Sequence, residues 1–133
     1  MRDWLLRLTG LLFGLTLAVA GMAQEGHPLK GSWIGTWEGN KVHDEFVVIV
    51  LNWDGREITG VINPGTDNIP IAKAELNPSD WTVHFETNAK DSEGRQTSYV
   101  IDGKIGELEL PNRSITGTWR SNDGRGDFEI RRQ

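Results

Sequence analysis

The chain has 133 residues, sets 14 Lys+Arg against 19 Asp+Glu for a formal charge of −5, and contains no cysteine. One domain fits this length. The acidic balance argues against a nucleic-acid backbone as partner, because phosphate binding needs dense positive charge. The missing cysteines exclude disulfides, thiol catalysis and Cys-ligated zinc.

Arg2, Asp3 and Arg7 precede a mostly apolar stretch from Leu8 to Ala20, and small residues follow at Gly21 and Ala23. This is the pattern of a secretory signal, with cleavage favoured after Ala23. The apolar run is too short for a membrane span, which needs about 20 residues, and Gly10, Gly14 and Thr16 interrupt it. The sequence therefore predicts a signal peptide over 1–23, a polar leader over 24–31 and a β domain over 32–133. The mature chain carries −6, lacks a membrane span and works as a secreted or periplasmic protein.

From Ser32 onward the dominant period is two. Ser32–Glu38 alternates, Glu45–Trp53 is a β-branched run, and Asp54-Gly55 separates it from Arg56–Asn63. Asp-Gly between two such runs is a hairpin signal. Further strands are predicted over 69–76, 80–88, 95–104, 114–120 and 126–131, separated by Gly, Pro, Asn and Asp. No helical stripe interrupts them. About eight strands with uniformly short links point to an antiparallel up-and-down barrel, with a β-sandwich as the alternative. Ile58-Thr59-Gly60 recurs as Ile115-Thr116-Gly117, and glycine inside a strand marks a bend or a close backbone approach.

Alternation assigns faces. Trp33, Trp37, Val47, Ile49, Leu51, Trp53, Ile58, Ile62, Trp81, Val83, Phe85, Tyr99, Ile101, Ile115, Trp119, Phe128 and Ile130 point inward. In the strand over 69–76 two sets compete, Ile69 and Ile71 against Ala72, Ala74 and Leu76. The run over 46–51 is apolar on both faces, which turns Phe46, Val48 and Val50 outward as a partner surface or a strand under a loop. Up-and-down order puts the loops around 39–44, 64–68, 89–94 and 121–125 at one end, expected to be the open one. A ligand pocket there would be lined by Trp37, Trp119, Phe85 and Ile62; a core filled by the same rings is the competing expectation.

Gly31-Ser32-Trp33, opening the first strand of a short barrel, resembles the calycin group of lipocalins, fatty-acid-binding proteins and avidins. That resemblance implies that Trp33 closes one end under a basic side chain from the last strand, matched here by Arg132, with Arg131 as the alternative. The lipocalin Thr-Asp motif and C-terminal helix have no counterpart, and no biotin-binding set can be matched. The cadence Gly-x-Trp-x-Gly-x-Trp with repeated Thr-Gly strands also resembles short secreted bacterial proteins of unknown function, which implies no activity.

No nucleophile elbow, P-loop, dinucleotide fingerprint or zincin motif is present. His43-Asp44-Glu45, Glu107/Glu109, Asn122–Asp127 and Arg125-Gly126-Asp127 read more simply as solvated loops and turns than as catalytic, metal or adhesion sites. Asn112-Arg113-Ser114 fits a glycosylation acceptor in a eukaryotic pathway only. The expectation is a non-enzymatic binding module without metal or cofactor, holding a small apolar or aromatic ligand at the open end. The alternative is a protein-interaction or homodimerisation module with a filled barrel, using Phe46, Val48 and Val50.

Overall fold

A computed structural model describes residues 26–66, 68–90 and 93–133; the segment read as a signal peptide lies outside them. The strands are β1 (Gly31–Trp37), β2 (Phe46–Trp53), β3 (Ile58–Ile62), β4 (Ile69–Asn77), β5 (Thr82–Thr87), β6 (Ala89–Lys90), β7 (Gln96–Thr97), β8 (Val100–Gly106), β9 (Ser114–Arg120) and β10 (Arg125–Arg132). Eight of them close a barrel in the order β1-β10-β9-β8-β5-β4-β3-β2, and β6 with β7 forms a separate two-stranded ribbon. Every barrel pair is antiparallel. The fold is thus an up-and-down barrel and not a sandwich.

The inward set packs as alternation predicts. Trp33, Trp37, Val47, Ile49, Leu51, Ile62, Val83, Phe85, Tyr99, Ile101, Ile115, Trp119, Phe128 and Ile130 are all buried. Trp81 and Ile58 are half-buried against this core, whereas Trp53, also half-buried, lies with its ring 4.5 Å from that of His27 in the leader. The predicted strand over 95–104 is two pieces, because Gln96–Thr97 turns back onto Ala89–Lys90 before β8 begins. The competition within β4 is settled by a register shift between Ile71 and Lys73. One extra residue in a strand flips the face of everything beyond it. Ile69 and Ile71 therefore pack inward above the shift, Ala74 and Leu76 below it, and Ala72 is exposed.

Both glycines of the Ile-Thr-Gly echo sit where strands approach closely. A Cβ on Gly60 would lie 2.4 Å from the Val50 carbonyl oxygen, and one on Gly117 would lie 2.0 Å from that of Asp102.

The base of the barrel is the end that carries the β2–β3, β4–β5 and β8–β9 loops. The leader crosses it and is less polar in effect than its composition suggests, because Leu29 is fully buried there. Trp33 Nε1 donates to the Leu29 carbonyl at 2.9 Å. Arg113 Nη1 donates to the Pro28 carbonyl at 3.1 Å. Arg132 stands opposite Trp33 in register. Its Nε donates to Lys30 O at 2.8 Å and its Nη1 to Pro111 O at 3.3 Å, which ties the leader to the β8–β9 loop.

One seam is thinner than the rest. β3 and β4 share only the pairs Val61↔Pro70 and Ile62↔Ile69, next to the register shift. Below them the facing edges of Ile58–Gly60 and of residues 72–76 carry no ladder. Local openings begin where backbone bonds are few. In native-state hydrogen exchange, the seam-facing amides of these two edges are expected to lose protection first among the barrel strands. Equal protection on the β8–β9 and β3–β4 seams would contradict this.

Candidate functional site

Four connections meet at the mouth, the end opposite the leader: their described residues are 38–45, 63–66 with 68, 88–90 with 93–99, and 121–124. Their inward neighbours form a ring cluster. Trp37 lies 5.1 Å from Tyr99, 6.1 Å from Trp119 and 5.7 Å from His43, ring centre to ring centre. Such spacings are those of tilted and offset aromatic pairs. Both indoles have their polar edge satisfied: Trp37 Nε1 donates to Asp44 O at 2.7 Å and Trp119 Nε1 to Glu38 O at 2.8 Å. The β1–β2 loop is thereby pinned across the mouth.

Of the four residues expected to line a pocket here, Trp37 and Trp119 come together, while Phe85 and Ile62 sit in the packed interior. Trp37, Phe85 and Ile62 are inaccessible to solvent and Trp119 is 2% exposed. Tyr99 was legible as inward, but its place in this cluster, with His43 and Asn40, was not. Asn40 is only 7% exposed. Its Oδ1 accepts from the Val42 and His43 amides, both at 2.9 Å, and its Nδ2 is buried with no hydrogen-bond partner. Burial pushes the Tyr99 phenol above its ordinary value; the Asn40 amide, close by but short of full hydrogen-bond geometry, pulls the other way. A short Gly-Asn turn in a polar loop gives no periodic signal that would have revealed this.

Outside the barrel the mouth continues into a groove of about 740 Å³. Val42, His43, Asp44, Phe46, Val48, Asn63, Pro64 and Thr66 line it. Phe46 is 57% exposed and Val42 49%. Asn63, in the left-handed region at φ 52°, clamps the floor: its amide donates to Val48 O at 2.7 Å, and its Oδ1 accepts from the Val48 amide at 3.1 Å.

The groove opens onto a wall with a distinct chemistry. The registers Ile34↔Val48, Ser32↔Val50 and Thr36↔Phe46 on one side, and Val50↔Val61 and Asn52↔Thr59 on the other, place these nine side chains on the outer face. None of them is charged. Ile34, Val48, Val50 and Val61 are half-buried, and Phe46 stands exposed at the mouth end. The opposite outer wall is a lattice of charge. Lys73 pairs with Glu75 at 3.4 Å and Glu86 at 3.9 Å, and Arg120 with Asp102 at 3.1 Å.

His84 lies between these pairs. Its Nδ1 is 2.5 Å from Asp102 Oδ1 and its Nε2 is 2.9 Å from Glu86 Oε2. Hydrogen bonds to Asp102, then to Glu86, raise its pKa above the ordinary 6.5, while His84 in turn holds the Asp102 carboxyl below 3.8. With both nitrogens engaged by carboxylates the ring is a bound cation, not a free general base. Because the folded-state pKa is raised, its stabilisation is complete below about pH 6.5 and is lost as pH rises through the folded value. The Asp102 part has the opposite sign and fades in acid. These groups are well exposed, so the effect is on the order of 1 kcal/mol or less. Urea midpoints are expected to fall between pH 6.5 and the raised value, and His84→Gln should flatten that fall.

Among the described residues no three His, Asp or Glu side chains are placed to share a metal ion, and no helix is long and apolar enough to cross a membrane. The chain matches no protein-family model, no curated protein and no solved structure.

Proposed function

We propose that this protein is a non-enzymatic binding module, exported from the cytoplasm, that engages a polypeptide partner with its outer wall while its barrel interior is filled by its own side chains. The observation that carries the reading is the uncharged outer face of β1, β2 and β3 on a barrel that is charged elsewhere. Apolar β-sheet area left facing water in an otherwise charged protein marks an interaction surface. Phe46 is the natural anchor, because aromatic side chains beside a groove contribute disproportionately to protein interfaces. The buried rings at the mouth support a filled interior. The calycin resemblance fits the same picture, with Trp33 at the base and Arg132 opposite it.

A second reading keeps the small apolar or aromatic ligand at the mouth. The unpartnered Asn40 amide beside Trp37, Tyr99 and Trp119 favours it, since a buried donor is costly until it meets an acceptor. Native mass spectrometry of the protein purified from its producing cells separates the two. The wall reading expects a bound polypeptide that Val48→Lys removes. A retained small molecule that survives Val48→Lys would replace it with the second reading.

A further inference from the structure

We infer that residues 26–30 of the leader form a clasp over the barrel floor that a proton on His27 releases, so that acidity uncovers Trp33. Histidine is the side chain whose charge changes near neutrality, which suits it to such a switch.

The clasp is held through its backbone. Arg113 Nη1, Trp33 Nε1 and Arg132 Nε donate to the carbonyls of Pro28, Leu29 and Lys30, at 3.1, 2.9 and 2.8 Å. His27 closes the leader's own turn. Its Nδ1 accepts from the Leu29 amide at 3.1 Å, and its carbonyl accepts from the Lys30 amide at 3.2 Å. That turn seats the fully buried Leu29. The leader joins β1 through Gly31 at φ 134°, a backbone state that side chains avoid and a place where the chain can pivot.

The proton has one place to go. Because Nδ1 accepts from an N–H, the neutral ring carries its hydrogen on Nε2, and Nδ1 holds the only free lone pair. Protonation there sets two donors face to face, Nδ1–H and the Leu29 N–H, and the turn loses its acceptor.

The surroundings do not welcome the charge. The His27 ring lies 4.5 Å from that of Trp53, centre to centre, and burial pushes its pKa below the ordinary 6.5. Two guanidiniums, Arg113 and Arg132, already sit on the neighbouring carbonyls. Lys30 adds a third cation on the leader itself, and β1 carries no charge at all. In the loop after Trp53 the Asp54 carboxylate is turned to the Arg56 and Glu57 amides, both at 2.8 Å. In the β8–β9 connection Glu107 is taken by Arg131 at 2.8 Å. Among the described residues no carboxylate raises the His27 pKa, in contrast to His84. An imidazolium is attracted to an indole face, which works against release. That attraction holds the ring, however, and not the turn that seats Leu29.

The sign follows. Docked His27 binds its proton less readily than the released leader does. The clasp is therefore fully held above about pH 6.5 and loosens as pH falls below it. The opening constant rises about tenfold per pH unit until the docked value is passed.

Hydrogen exchange of the protein as purified, from about pH 8 to about pH 5, reads this opening when each rate is taken against that of a free N–H at the same pH. Carboxylates of ordinary pKa stay ionised across that window. At the Leu29 amide and the Trp33 indole the opening constant should be level above about pH 7 and climb by about tenfold or more below pH 6.5, while the amide of Ile101 in the core stays protected. His27→Asn offers an acceptor in the place of Nδ1 and cannot titrate, so its profile should be flat. His27→Ala, with neither acceptor nor proton, should exchange fast and equally at both ends of the range. A level wild-type profile overturns the inference, as does an acid rise that His27→Asn retains. A rise shared in full by Ile101 marks unfolding of the whole barrel and overturns it too.

Discussion

Trp37→Ala is expected to lower the free energy of unfolding by about 4 kcal/mol, as buried tryptophan truncations do when the surroundings cannot collapse. For a domain of this size that is a large part of the total stability, which is typically 5–15 kcal/mol, and corresponds to a drop in Tm of about 20 °C. The cost has two sources. The indole touches Tyr99, Trp119 and His43, and its N–H holds the β1–β2 loop through Asp44 O. Removing it opens an apolar cavity and frees the loop over it. The variant should then bind a small apolar probe that the wild type does not, because dry engineered cavities take up such molecules. The mouth as a ready-made pocket demands the reverse, with binding by the wild type that the alanine variant loses. Fluorescence titration of both proteins with one probe, beside thermal melts, decides between them.

Gly117→Ala is expected to cost about 3 kcal/mol, the upper part of the range for overpacking. Gly117 faces Gly103 across β8 and β9. Its new methyl would sit 2.0 Å from the Asp102 carbonyl oxygen and 2.5 Å from Gly103 Cα, both backbone atoms that cannot rotate away. The strands must part, and with them the geometry that lets Asp102 hold His84. Gly106→Ala is the control: its methyl would meet Ser114 Oγ at an ordinary 3.7 Å, and a surface change of that kind stays within about 0.5 kcal/mol. Equal denaturation midpoints for the two variants would refute the close-approach account.

Much of the barrel was legible because period-two alternation is a direct print of which side faces the core. Val47, Ile49 and Leu51 alternate with Phe46, Val48 and Val50, and only the first set is buried. The β4 ambiguity was itself information: two competing inward sets in one strand describe a bulge, since a single extra residue puts both sets inside in turn. Leu29 was illegible for the opposite reason. One apolar residue in a polar leader has no period, and its burial depends on carbonyl bonds to Trp33 and Arg113 that only the closed barrel brings within reach. The candidate site was half legible. Outward Phe46, Val48 and Val50 could be read from parity, whereas the absence of charge across all of β1, β2 and β3 depends on registers that the sequence does not state.

The seam between β1 and β10 sets Trp33 against Arg132 and Trp37 against Phe128, joining the start of the domain to its last strand. Synthesis from the N-terminus leaves β1 with one bare edge until nearly every other strand has emerged, and contacts this distant in sequence make for slow folding. An unfinished chain would offer β1 and β9 as two sticky borders at once, the condition that favours pairing with neighbours over pairing at home. Under the proposed export, delivery of the whole chain unfolded to another compartment would sidestep that hazard, since β1 and β10 would then be present together when the cylinder closes.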